Sequence, residues 1–223
     1  VYVDVCEPFS VKKYIENHVA NHPESADLHE DRRKRSPINK AIGYEVVYQL
    51  NENLVAMPTA IISSVILFHR KGISQENLHI KVEWLVDQLY LRKVKVGALE
   101  GRYSPLFTDN AVSLLGTLLT QKKDMYQIQL AAKQDYKNIL LLSYYRNTII
   151  HAFWNESIVA CALSSFGQDV AWKEGVPLDR LYEEVAFLNA LVNKEYQLRE
   201  KITPQTFPQI IDRMTQRGIL EII

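Results

Sequence analysis

Residues 140–166, LLLSYYRNTIIHAFWNESIVACALSSF, constrain the fold more than any other stretch. The run is almost wholly apolar and long enough for a helix. Yet Ser143, Asn147, His151 and Asn155 recur at every fourth position. Side chains at that spacing lie on neighbouring turns and drift slowly around one side. A helix that is apolar on its other faces is expected to be buried. Its polar stripe must then find partners, because a buried polar group left unpaired costs about 1–3 kcal/mol.

The rest of the chain reads mostly as shorter helices. Residues 1–20 read as strand, turn and helix: Val1, Val3 and Val5 alternate, Pro8 ends the strand and Ser10 can cap the helix. Residues 21–40 are densely charged and read as a linker or surface loop. Helices are predicted over 38–51 and 57–69, divided ahead of Pro58, with Gly72 as a stop. Ser74 is predicted to cap an amphipathic helix to about residue 93, with Leu78, Val82, Leu85, Val86 and Leu89 on one face. Thr108 is predicted to cap a helix over 109–120. Alternation at Tyr126, Ile128 and Leu130 predicts a strand over 125–130. Residues 134–166 read as the long apolar helical region, with room for one break, and 167–177 as a loop. The next helix is predicted over 178–196. Thr203-Pro204 then starts a last helix, which ends at Gly218 before a short strand, ILEII.

The fold class expected is mainly α: a helical domain of six to eight helices with minor β over 41–223. Ahead of it stands a strand–turn–helix over 1–20, which looks like the tail of an α/β domain. Hydrophobic residues make up 47% of 223 positions, enough for a core. Basic and acidic residues balance at 26 each, so no nucleic-acid partner is expected. Cys6 and Cys161 are far apart in sequence, which argues against a disulfide framework, and no His/Cys spacing suggests a metal site. The apolar run over 54–68 contains Pro58, Thr59, Ser63 and Ser64 and is shorter than the roughly 20 residues a spanning helix needs. The chain opens on VYVDV, with no initiator Met, signal peptide or transit peptide, and is read as a fragment.

Four segments carry a family resemblance. Tyr144-Tyr145-Arg146-Asn147 with His151, leading into a small and apolar run, resembles the C-terminal region of the membrane-bound glycerol-3-phosphate acyltransferases. The dihydroxyacetone-phosphate acyltransferases are similar there. VYVDVCEPFSVKKYIENHV resembles the strand and turn that close the acyltransferase domain of that family, with Cys6 where the family's Gly-Glu-Pro motif has Gly. A helical 41–69 succeeded by RKGIS, and the ending FPQIIDRMTQRGILEII, fit the same order. The family's catalytic His-x-x-x-x-Asp and Phe-x-Glu-Gly-x-Arg-Ser motifs are not matched in context. His22 and Asp27 give one literal His-x-x-x-x-Asp, but it comes after the Cys-Glu-Pro segment in a polar stretch and reads as chance.

The resemblance implies an enzyme that moves a fatty acyl group to the 1-hydroxyl of glycerol 3-phosphate. Acyl-CoA or acyl carrier protein would be the donor, and no cofactor is needed. On this reading residues 1–223 support an upstream catalytic domain and are inactive alone. The parent protein is membrane-associated, at the mitochondrial outer membrane if eukaryotic and the inner membrane if bacterial. Dihydroxyacetone phosphate as acceptor, or a non-enzymatic helical interaction module, are the alternatives.

No catalytic or metal-ligating residue is assigned within the chain. Arg146 stands in an apolar helix and needs an anion. It either faces the acyltransferase domain and a phosphate-bearing ligand, or forms an internal ion pair with Glu156 or a distant acid. Asn147 accompanies it. His151 is either a base near a substrate hydroxyl or a satisfied helix–helix hydrogen bond. By resemblance, Glu7 helps join the two domains. Arg32, Arg33, Lys34 and Arg35 form a basic cluster that suits anionic lipid headgroups, or a solvated loop.

Overall fold

The computed structural model describes residues 5–22, 32–97, 103–130, 136–193 and 199–222, with the backbone alone for 32–36. Nine α-helices and a three-stranded sheet run along these residues, so the chain is mainly α with minor β. Two compact units divide it, Val1–Ala152 and Phe153–Ile223. The strand expected at the start falls on residues 1–4, outside the described residues; Val5 is exposed and not extended into a strand.

The first unit is organised around α3, Pro58–Phe68. Pro58 occupies the first turn, where its missing N–H is no loss. Beyond it Ala60, Ile61, Ile62, Val65, Ile66 and Leu67 are all buried. This is the middle of the apolar run read from the sequence, whose ends, Leu54 and Phe68, are exposed. α4 (Gln75–Leu91), α5 (Pro105–Leu115) and α6 (Lys137–Asn147) pack against it. Each large side chain enclosed this way contributes about 1.5–3 kcal/mol. Among the described residues, no helix is long and apolar enough to cross a membrane.

α4 begins where the sequence places it: the Ser74 hydroxyl accepts from the Asn77 amide, and Leu78, Val82, Val86 and Leu89 face inward. α5 does not. It starts at Pro105 behind Ser104 rather than at a Thr108 cap, and it stops at Gly116, whose φ is +40°. Proline at a first helical position outcompetes the later threonine. Thr108 is instead buried inside the helix. The residues expected to end that helix form β2, Leu119–Lys122. It pairs antiparallel with β3, Met125–Ile128, which pairs on its other edge with β1, Ile73–Ser74. Tyr126 and Ile128 are buried, as their alternation requires.

Residues 32–40, expected in a charged linker or loop, are the opening turns of α2, Arg32–Glu52. Arginine and lysine lose little rotamer freedom in a helix, so a dense charge run does not oppose one. α1, Val11–Asn21, packs on α2.

The long helical region does break, and the break removes the continuous polar stripe. α6 ends at Asn147, Thr148 and Ile149 form a turn, Ile150–Phe153 is a 3-10 turn, and α7 is Trp154–Ser165. Thr148, Ile149 and Ile150 are β-branched, which lowers helix propensity, and the Thr148 hydroxyl donates to the Tyr145 carbonyl at 2.8 Å. Nor is α6 apolar and buried all round. Leu142 is buried, while Leu140, Leu141 and Tyr144 are exposed.

The second unit packs α7 against α8 (Leu178–Val192) and α9 (Phe207–Gln216). Ile158, Val159 and Ala162, Leu181 and Val185, and Ile210, Ile211 and Met214 are its buried faces. α9 starts three residues later than Thr203-Pro204 suggests. Thr203 and Thr206 exchange backbone-to-hydroxyl bonds of 2.9 and 3.2 Å and close a turn first. Residues 219–222 are not a strand: the Ile219 and Leu220 amides bond back to the Met214 carbonyl beyond Gly218 and close the helix instead.

Candidate functional site

The residues singled out in the sequence are distributed over the first unit and do not converge. Glu7 is exposed in the coil before α1. Its neighbour Cys6, at the position of the family's glycine, accepts from Asn53 Nδ2 at 2.9 Å and lies 3.7 Å from the Gln49 carbonyl to which it donates. That contact fastens the Cys-Glu-Pro segment to the C-terminal end of α2. Arg32, Arg33, Lys34 and Arg35 occupy the first turn of that helix. His22 ends α1 and is exposed, and Asp27 lies outside the described residues.

Arg146 and Asn147 do meet. Arg146 Nε and Nη2 donate to Asn147 Oδ1 at 3.2 and 2.9 Å, at the exposed end of α6. Among the described residues no carboxylate pairs with Arg146. Glu156, the partner expected from the sequence, belongs to the second unit and holds Arg217 there. His151 is half-buried in the 3-10 turn. Burial holds its imidazole below the ordinary value, while a hydrogen bond with the Thr148 backbone raises it. Such a ring is neutral at physiological pH and satisfied by backbone.

Two polar clusters escaped sequence reasoning. In the first unit, Asp109 Oδ1 lies 3.5 Å from His79 Nε2, His79 Nδ1 lies 2.9 Å from the Tyr103 hydroxyl, and that hydroxyl lies 2.6 Å from Thr108 Oγ1. The chain of contacts clamps the start of α5 to α4. Burial raises the Tyr103 pKa and outweighs the lowering by the Thr108 hydrogen bond, and the charges of Glu83 and Asp109 add to the rise. Tyr103 is therefore a protonated hydrogen-bonding group rather than a base. In the second unit, Arg217 pairs with Glu156, both largely enclosed, and Glu200 accepts from Arg213 at 2.9 Å and from Asn155 at 3.1 Å. These partners are 61, 13 and 45 positions apart, so no local spacing could reveal them. Among the described residues, no group of three His, Cys, Asp or Glu could hold a metal ion.

The class of protein these features define is a helical body whose polar clusters hold its own elements together. The chain belongs to the family described as the glycerol-3-phosphate acyltransferase C-terminal region, which it matches over residues 1–223. It is similar to glycerol-3-phosphate acyltransferase 1, mitochondrial, of Mus musculus, with 24% identity over the whole of this chain and 32% of that protein. The corresponding proteins of Rattus norvegicus and Sus scrofa are also 24% identical, over the same shares. The chain thus spans about a third of the length of the curated relatives it matches.

Proposed function

We propose that this chain is the supporting C-terminal portion of a glycerol-3-phosphate 1-O-acyltransferase, which makes lysophosphatidic acid from glycerol 3-phosphate and an acyl thioester. The observation that carries this is the match of all 223 residues to a family defined as the C-terminal region of such enzymes. In the parent enzyme an upstream His would take the proton of the 1-hydroxyl, with its Asp orienting the imidazole. The hydroxyl oxygen would then attack the thioester carbonyl and the thiolate would leave. Neither motif is present in context in these residues.

The role left to this chain is to brace the catalytic domain. Residues 1–20 would complete that domain, and Glu7, Arg146, Asn147 and His151 would face it. Glycerol 3-phosphate is favoured over dihydroxyacetone phosphate because the relatives carry the former in their names. Those names also support a mitochondrial location. The membrane proposed for the parent protein is the outer one in a eukaryote and the inner one in a bacterium. The family match supports this reading over a non-enzymatic interaction module.

The test is an acyl-transfer assay with acyl-CoA and glycerol 3-phosphate. Purified residues 1–223 are expected to give no turnover, and the parent protein carrying both upstream motifs is expected to be active. Turnover by the 223-residue chain alone would refute the assignment.

A further inference from the structure

α6 carries apolar side chains on both of its sides, and the chain covers only one of them. Leu142 is fully buried, and α6 packs on α3. On the other side Tyr136, at the N-cap, Leu140 and Tyr144 stand four apart on successive turns and expose 62%, 68% and 70% of their surface. Leu141 lies beside Leu140 and is exposed too, and Asn147 continues the row past Tyr144. The Tyr144 ring meets the Tyr145 ring edge to face, which steadies it.

A helix that is apolar all round has the pattern of one enclosed on every side. That pattern is complete only if a second surface closes over the Leu140 row. The chemistry of the row narrows what that surface is. α6 holds no acidic residue, and its ends carry Lys137 and Arg146, the latter folded onto Asn147 where the row stops. Headgroup attraction is worth about 1 kcal/mol per cation, so two cations at opposite ends hold a bilayer weakly. Two tyrosines framing two leucines have instead the composition of a protein contact, in which the rings supply area and the hydroxyls find partners. The outward side of α4 also exposes Ile80, Trp84 and Leu91, but Glu76, Glu83 and Asp87 stand among them and keep that side hydrated.

We propose that the face of α6 built on Leu140 and Tyr144 docks on the upstream part of the parent enzyme, against an apolar surface there with an acid opposite Arg146. This rests on the reading of the chain as the C-terminal portion of that enzyme. The match covers 32% of each curated relative, which leaves about two-thirds of their length outside it, and the matched family is described as a C-terminal region. A covalently tethered partner acts at a roughly millimolar effective concentration, so it outcompetes a second copy for an exposed face.

Thiol labelling of Leu140→Cys tests it, with Tyr144→Cys as the second variant. Each is made in the 223-residue chain and in the parent protein, in the same detergent, and circular dichroism confirms that the helix content is kept. Maleimide uptake at the substituted position, read by mass spectrometry, is expected to be at least about tenfold slower in the parent than in the 223-residue chain, and dilution should not change the ratio. Leu140→Asp with Tyr144→Asp is expected to leave the urea midpoint of the 223-residue chain in place and to lower the thermal midpoint of the parent by about 2 °C or more. Equal labelling in a parent that is active in acyl transfer overturns the docking and leaves the assignment to the acyltransferase standing. Protection that is lost on dilution makes the face an interface between copies, and the proposal is overturned. Protection that appears only with vesicles of phosphatidylcholine and phosphatidylserine gives the face to lipid and overturns it as well. If the protein that contains these residues carries no upstream acyltransferase motifs, the assignment fails and the docking falls with it.

Discussion

Burial holds the His151 imidazole below its ordinary value of 6.5, and the Thr148 backbone hydrogen bond, which acts the other way, does not overcome it. The unfolded chain then binds a proton at a pH where the fold does not. By linkage, the contribution of a neutral buried histidine is complete above about pH 6.5 and declines as pH falls toward the folded value. The wild-type chain is therefore expected to lose more stability between neutral pH and about pH 5 than His151→Asn, read from urea midpoints. Parallel losses would show that the ring is not held neutral. The sequence announced His151 as a polar residue in an apolar run. It did not announce the partner, because the break at Thr148 puts backbone where a straight helix would have placed a side chain. Arg217 and Glu156 were illegible for another reason: each lies in or beside an ordinary amphipathic helix, and only the packing of α7 on α9 brings them together.

Between elements, the clamp from Asp109 through His79 and Tyr103 to Thr108 decides where α5 begins relative to α4. Tyr103 stands two residues ahead of Pro105, so its hydroxyl fixes the entry of the chain into the helix. Bonds in one network are not additive, and a double-mutant cycle isolates their coupling. His79→Leu and Tyr103→Phe are each expected to cost about 1–2 kcal/mol, and the double variant about 1 kcal/mol less than their sum, by urea denaturation. Strict additivity would mean that the two side chains act independently. Helices with a capping serine and a clean apolar period, such as α4, were readable because every local signal agrees. β2 was not, because Leu119 and Thr120 continue the apolar spacing of α5 and only Gly116 marks the change. The hairpin from β2 to β3 turns at Lys123, whose φ is +55°, without the Asn-Gly or Asp-Gly pair that would have signalled it.

At the scale of the whole molecule, the setting of Arg146 bears on the proposed brace to an upstream domain. The residue is half-buried, and its guanidinium makes two exposed bonds to a neutral amide, with no carboxylate beside it among the described residues. An enclosed cation without an anion is costly, whereas a half-exposed one is hydrated and tolerable. The same residue should therefore respond differently in two contexts. In the 223-residue chain, Arg146→Ala removes only hydrated bonds to Asn147 and is expected to change stability by less than about 0.5 kcal/mol. In a parent protein that includes the catalytic domain, the guanidinium would face that domain, and truncating one partner of an enclosed charge pair costs about 2–5 kcal/mol. Thermal unfolding of both proteins, each with and without Arg146→Ala, compares the two contexts directly. Equal small shifts in both would remove Arg146 from the domain-facing surface. A large shift confined to the longer protein would locate the missing anion upstream, in the part of the enzyme that carries the reaction.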